Sequence, residues 1–351
     1  MVESQLNNAL RSFQGAGIVT ESQIAGNNTS HRRVPIQDRA FTMGELTGIN
    51  GYHANRILLR RRFAEGGYLL QETPHFLLCT RSATPSPILV HWFAPEEIDA
   101  DIGNVFVQEL KPLGLLSDSQ QFGQVFGVVV CSLFPYDVQR ALRLYATNTL
   151  QRYRNLLADT PSECHPEGST IQAFAAVYRR VFEQRIEGRF LDAGCSFGFL
   201  PLLIAERFPS LTEVVGIDIE TESFPTVQVL AEEQRLKQVH FTQADLLADN
   251  IASLGTFDTV TALHILEHFT ESDMYRVLLH LLRVTSRQLI LAVPYEPDGP
   301  ERAYGHEQVF SRVKLERVGE WCLQHLGGQG RMSYEECAGG LLLIERFSSA
   351  R

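Results

Sequence analysis

An acid, two glycines and a second acid are spaced along residues 190–220 in a pattern that suits a nucleoside. The run Phe190-Leu191-Asp192-Ala193-Gly194-Cys195-Ser196-Phe197-Gly198-Phe199-Leu200 reads as a buried strand over Phe190–Ala193, a tight turn at Gly194 and Gly198, and a helix from Leu200 to about Arg207. Glycines in the turn let the backbone approach a ligand, and the helix N-terminus supplies unpaired N–H groups. The next strand, Glu213 to Ile217, ends at Asp218, where a carboxylate can accept hydrogen bonds from both vicinal hydroxyls of a ribose. A nucleoside-bearing cofactor is the inference from that pairing. Asp192 narrows the choice, because a carboxylate beside the turn repels a pyrophosphate and attracts the ammonium of an amino acid. The dinucleotide fingerprint Gly-x-Gly-x-x-Gly also fails, since Ser196 fills its second slot.

Together with three strand-like segments downstream, this block resembles the class I S-adenosylmethionine-dependent methyltransferases, whose pattern is acid-x-Gly-x-Gly-x-Gly with Ser196 here replacing the middle glycine. His240-Phe241-Thr242-Gln243-Ala244-Asp245-Leu246 is similar to the third strand of that family and its adenine-contacting Asp. Phe257 to His264 is similar to the fourth strand, and Gln288 to Pro294 to the fifth. The resemblance covers about residues 171–351. It implies that Asp192, with the backbone at Gly194 and Cys195 and the turn at Gly198, holds the methionine end of S-adenosylmethionine. Asp218 would hold the ribose, Ile219 would pack on the adenine, Asp245 would accept from the adenine amino group, and Leu246 and Leu263 would complete the cofactor site. S-adenosylhomocysteine is the implied product. The fold expected is α/β: a Rossmann-like, mostly parallel sheet with its last strand antiparallel, preceded by an α+β N-terminal domain. The closing strand, Gly339-Gly340 turn and strand over residues 331–347 suit that sheet and not an all-parallel dinucleotide domain.

Methyl transfer needs an acceptor aligned with the methyl at about 3–3.5 Å, and a hydroxyl acceptor must also lose its proton. His suits that at neutral pH. His264, after the fourth strand, and His306, in the loop after the fifth, are the two catalytic candidates. Tyr295, Glu296 and Tyr304 line the same loop and are read as substrate contacts. The Pro294-Tyr295-Glu296 and Tyr304-Gly305-His306 segments resemble bacterial enzymes that methylate sugars on glycosides or oligosaccharides, including the mycofactocin oligosaccharide type. An O-methylated small molecule, such as a sugar or glycoside, is the substrate class implied. A SAM-binding protein without catalysis and a partner-recruiting module are the alternatives from other classes.

Two further signatures overlap these residues. Gly194-Cys195-Ser196-Phe197-Gly198 matches the Gly-x-Ser-x-Gly nucleophile elbow of a serine hydrolase, with Ser196 as nucleophile, but no His-Gly-Gly-Gly type run precedes it. His264-Ile265-Leu266-Glu267-His268 matches the His-x-x-Glu-His zinc hydrolase form. A catalytic zinc needs a third protein ligand that the sequence does not name, and His264 lies at a strand mouth, so no metal is expected.

Charge bears on the acceptor. Net charge is −10, and the residues after 175 hold 17 basic against 25 acidic groups. A nucleic-acid substrate needs a basic face, so a small molecule is expected and nucleic acid is not. The one basic cluster, Arg56, Arg60, Arg61 and Arg62, reads either as a solvated helix face or as an anion clamp. No apolar run approaches a membrane span, no signal segment is evident, and six cysteines form no Cys-x-x-Cys pair; a cytoplasmic protein with reduced thiols is expected.

The elements that position these residues can be outlined. Residues 1–40, rich in Asn, Gln, Ser and Gly, read as a loosely ordered segment. Residues 41–160 form the α+β accessory domain, with a helix near Asn55–Phe63 and strand-like runs at Tyr68–Leu70, Phe76–Thr80 and Ile88–Phe93. A further β-branched stretch, Val125–Leu133, precedes a long helix, Asp137–Leu157. The linker at residues 160–168 opens the methyltransferase-like domain, 161–351, whose first helix, Ile171–Gln184, covers a sheet edge. The accessory domain has two readings of equal weight: a substrate cap, or a dimerisation module giving a homodimer.

Overall fold

The computed structural model describes residues 40–82, 84–159 and 169–347. They divide into two compact units between Thr149 and Leu150. The division therefore falls inside a helix, and the expected linker at 160–168 lies outside the described residues. So does the N-terminal segment except Ala40, which opens the first strand. No helix among the described residues is long and apolar enough to cross a membrane.

The first unit contains β1 (Ala40–Met43), β2 (Leu46–Asn50), α1 (Arg56–Glu65), β3 (Leu69–Glu72), β4 (Phe76–Arg81), β5 (Thr84–His91), α2 (Ile102–Leu110), α3 (Ser119–Cys131) and the start of α4 (Val138–Ala158). The sheet order is β1-β2-β5-β4-β3. Its pairs are antiparallel except β2 with β5. Helix α1 starts where the Asn55 side chain accepts from the Leu58 N–H, and it buries Leu59 and Phe63. Arg60 pairs with Glu72 and Arg61 with Glu65, which favours the solvated face over the anion clamp.

The stretch Val125–Leu133, expected as a strand, is corrected to the C-terminal part of α3 and the turn after it. Asp118 caps that helix by accepting from the Gln121 N–H at 2.9 Å. Phe122, Val125, Phe126, Val128, Val129 and Val130 are all buried. From Val125 to Cys131 every residue of the helix is buried, so that half shows no one-face periodicity and β-branched composition alone misleads. Gly48 permits the approach of β2, because a Cβ there would meet the Val128 carbonyl oxygen at 2.5 Å.

His91, buried at the end of β5, gives the unit a pH-dependent stability. The Ser132 hydroxyl donates to the Val129 carbonyl oxygen, so the Nε2–H of His91 donates to Ser132 at 2.8 Å and Nδ1 is left bare. Burial lowers the His91 pKa from 6.5 to about 3. The unfolded chain then binds the extra proton below pH 6.5, so stability falls as pH drops from there towards 3, by about 2 kcal/mol at pH 5. In urea unfolding of the full chain, followed by tryptophan fluorescence, His91→Gln is expected to remove that part of the pH 7 to 5 loss. An unchanged loss would assign it to other groups.

The second unit continues with α5 (Thr170–Phe182), β6 (Arg189–Ala193), α6 (Phe199–Arg207), β7 (Glu213–Asp218), α7 (Phe224–Glu233), β8 (Val239–Gln243), β9 (Phe257–Leu263), α8 (Glu271–Val284), β10 (Thr285–Val293), α9 (Arg312–His325), β11 (Gly330–Glu336) and β12 (Gly340–Arg346). The sheet order is β11-β12-β10-β9-β6-β7-β8. Strands β6 to β10 run parallel, and β12 pairs antiparallel with both β10 and β11. Helix α8 shows why the faces pack: Met274, Val277, Leu278 and Leu281, spaced at three and four residues, share one core with Leu191, Val260 and Leu291. Full burial of each leucine contributes roughly 2 kcal/mol. Helix α5 reaches edge strand β11 through Arg180 and Glu335 at 2.6 Å. From β6 the chain builds outward through β7 and β8, then returns to the other side at β9. Strand order reverses there, and open α/β sheets take ligands beyond the carboxyl ends of the strands at such a point.

Candidate active site

The glycine-rich turn after β6 is held by its neighbour strand. The N–H groups of Gly194 and Cys195 both donate to the Ile217 carbonyl oxygen, at 2.8 and 2.9 Å. Gly194, Ser196 and Gly198 have φ of 75°, 52° and 86°, a region that costs a side-chain-bearing residue about 1–2 kcal/mol. Ser196 tolerates it because its N–H donates to Asp218 at 2.8 Å. Its own Oγ is buried without a hydrogen bond, so no base activates it and the hydrolase elbow is not assembled.

At Gly198 a Cβ would stand 2.4 Å from Cε1 of Phe241. Strain and overpacking combine there, so Gly198→Ala is expected to destabilise the fold by about 2–4 kcal/mol. Equilibrium urea unfolding checks this, and a loss below about 1 kcal/mol would show that the turn relaxes freely.

The carboxyl ends of β6, β7, β8 and β9 bring the sequence-predicted cofactor residues to one edge. Asp192 is buried and accepts from the Thr261 hydroxyl at 2.7 Å. Asp218 is buried and takes the Ser196 N–H on one oxygen and the Glu220 N–H, at 3.0 Å, on the other. Burial raises its pKa while these N–H groups oppose the rise. Ile219 is 52% exposed beside it, which leaves an apolar face for a flat ring. Asp245 is exposed and accepts from the Leu247 N–H, and Leu246 and Leu263 are buried.

Beyond β9 stands a buried cluster of imidazoles and carboxylates. His264 has φ of 52°, and its N–H donates to the Ala292 carbonyl oxygen of β10 at 2.8 Å. Its ring lies 4.6 Å from that of Phe174, and neither ring nitrogen is hydrogen-bonded. Residues 266–268 form a single 3-10 turn, so the two histidines of His-x-x-Glu-His are not stacked on an α-helix as a zinc hydrolase would need. Glu267 is fully buried, and neither carboxylate oxygen has a hydrogen-bond partner. The loop after β10 closes on it, with the Glu307 N–H donating to the Glu267 carbonyl oxygen at 2.8 Å.

That loop delivers His306. Its Nδ1 lies 2.7 Å from Glu296; a carboxylate only accepts, so the proton sits on Nδ1 and the Nε2 lone pair faces Glu267 at 4.0 Å. His268 is oriented alike, its Nδ1 donating to the Gly305 carbonyl oxygen at 3.3 Å. Burial lowers the pKa of His264 and His268 to about 3 and raises that of Glu267 to about 8. His264 and Glu267, 3.8 Å apart, are thus a pair whose charged forms burial disfavours on both sides.

Of the loop residues expected to touch substrate, Glu296 orients His306. The Tyr295 hydroxyl bonds to that of Tyr334 at 2.9 Å, a tie to β11, and the Tyr304 ring lies 5.9 Å from that of His306. Sequence reasoning passed over Glu267 and His268 as site residues, although the His-x-x-Glu-His spacing was their signal. A separate cleft of about 560 Å³, lined by Arg154, Arg179 and Glu206 among others, holds none of these groups.

Residues 190–288 match a family model described as a methyltransferase domain. A ubiquinone biosynthesis O-methyltransferase of Paracidovorax citrulli (strain AAC00-1) is 34% identical over 80 residues, 23% of this chain and 32% of that protein. The chain thus spans about a third of the length of this curated relative. Among solved structures, an O-methyltransferase family protein from Burkholderia thailandensis is similar at 16% identity, over 62% of this chain and 74% of that one, with a TM-score of 0.40. Magnesium protoporphyrin IX methyltransferase from Synechocystis PCC 6803 with bound SAH is similar at 19% identity, over 56% and 93%, with a TM-score of 0.38. The matched segment, the strand order and the glycine-rich turn with its paired acids agree: residues 190–288 carry a methyltransferase domain, set in a mostly parallel seven-stranded sheet with β12 antiparallel.

Proposed function

We propose that the chain methylates a hydroxyl oxygen of a small-molecule acceptor, a sugar or glycoside being the class favoured. The observation that carries this reading is that cradle and imidazole cluster share a wall. A Cβ at Gly194 would lie 2.8 Å from Ile265, the residue after His264. The cradle suits S-adenosylmethionine, since the positive-φ glycines clear space that a Cβ would fill and Asp192 and Asp218 supply buried acceptors. Asp192 and the Gly194–Gly198 turn would hold the amino-acid end, Asp218 the ribose, and Ile219, Asp245, Leu246 and Leu263 the adenine. When bound, the sulfonium offers its methyl as an electrophile, so that the acceptor C–O bond forms as the S–C bond breaks and the electron pair stays on sulfur. His264 receives the hydroxyl proton on a bare ring nitrogen, and Phe174 beside it helps keep water out. The acidic balance of the domain and the match to an O-methyltransferase support a hydroxylated small molecule over nucleic acid.

Calorimetric titration with S-adenosylhomocysteine, with NAD as control, followed by a labelled-methyl screen of glycosides and phenols, tests the reading. One-site binding of S-adenosylhomocysteine and label transfer to a hydroxyl support it; the absence of such binding overturns it.

A further inference from the structure

We propose that Glu267, His268 and His306 bind one divalent transition-metal cation, and that the acceptor hydroxyl is a further ligand to it. One ligand atom from each of the three residues lies within 4.8 Å of the others. A modest contraction brings them to the separations that bonds of about 2.0–2.2 Å impose.

Three observations point to a cation. First, a fully buried carboxylate with no hydrogen bond to either oxygen is a costly arrangement, and such a group calls for a specific partner. Second, its ion-pair-range neighbours among the described residues are imidazoles, His264 and His306. A proton on Glu267 does not satisfy it, because the 4.0 Å to His306 Nε2 is too long for a hydrogen bond. Third, both ligand histidines donate Nδ1–H outward, His306 to Glu296 and His268 to Gly305. This fixes the tautomer with Nε2 as a lone-pair donor, the arrangement that outer partners give to metal-bound histidine. The sequence motif alone lacked a third ligand, and the loop after β10 supplies it as His306.

Two nitrogens and one oxygen select zinc or cobalt over calcium and magnesium, which favour oxygen ligands. Three protein ligands leave coordination positions open, as catalytic sites do. A hydroxyl on such a cation is acidified, and His264, whose ring nitrogens are bare and whose Nδ1 lies 3.8 Å from Glu267, would stand ready to take its proton. The placement of the acceptor rests on the methyl-transfer reading; the cation site does not.

The test uses the full chain stripped with chelator and titrated with Zn²⁺ and Co²⁺ by calorimetry, with the Co²⁺ absorption bands recorded. One cation per chain is expected, with affinity at least 100-fold lower in Glu267→Gln and His306→Ala, while S-adenosylhomocysteine affinity stays within threefold. His268→Gln, at a half-buried position, guards against a misfolded variant and should also lose the Co²⁺ bands while keeping the wild-type melting profile. Substoichiometric binding to the wild type, or binding equal across the variants, overturns the site. Loss of S-adenosylhomocysteine binding in the wild type would instead overturn the methyl-transfer reading and leave the cation site standing.

Discussion

Asp218→Ala is expected to weaken S-adenosylhomocysteine binding by more than tenfold, with the folded protein still present. The carboxylate has two tasks in the proposed site. Toward the ligand it accepts from ribose hydroxyls, and a hydrogen bond to a charged acceptor contributes about 1.5–3 kcal/mol, against about 1.4 kcal/mol for each tenfold in affinity. Toward the protein it accepts from the N–H groups of Ser196 and Glu220, one on each oxygen. It thereby ties the glycine-rich turn to the end of β7. Alanine removes both, and the two buried N–H groups lose their partner. Asn is no safer, since its NH₂ must face one of these N–H donors. Calorimetry on Asp218→Ala, alongside a thermal melt, reads the two tasks separately. An unchanged affinity would remove Asp218 from the cofactor site.

How a feature is encoded decides whether the sequence reveals it. Strand, glycine turn and helix over residues 190–207, and the strand ending at Asp218, are written in contiguous residues. The described strands match those expectations to within a residue or two. The antiparallel insertion of β12 beside β10 was legible for the same reason, a local strand-turn-strand signal. The second half of helix α3 was not, because Val125–Cys131 is buried all round and loses the periodicity that identifies a helix. The division of the chain at Thr149 was hidden too, since it lies inside the continuous helix α4, whereas composition marks boundaries by prolines and glycines. In the site, Glu267 and His268 are adjacent in sequence, but their meeting with His306 needs the loop after β10 to fold back, which no spacing rule records.

His264→Ala is expected to lower the turnover of methyl transfer on the order of 10²–10⁴-fold, the usual contribution of a positioned proton acceptor, while leaving S-adenosylhomocysteine affinity unchanged. Of the two imidazoles read from the sequence, His306 is committed, with Nδ1 on Glu296 and Nε2 turned to Glu267. His264 has both nitrogens free of hydrogen bonds, and its position is fixed through the backbone, by the bond from its N–H to Ala292 and a left-handed φ. A residue held in a strained conformation with an unbonded polar ring is poorly explained by packing alone. A purely structural role would appear as a lower melting temperature with turnover per folded molecule preserved. A metal-ligand role would appear as lost Co²⁺ affinity. A proton-acceptor role predicts that neither moves and only turnover falls, so the three roles are separated by measuring melting, Co²⁺ binding and turnover on this one variant.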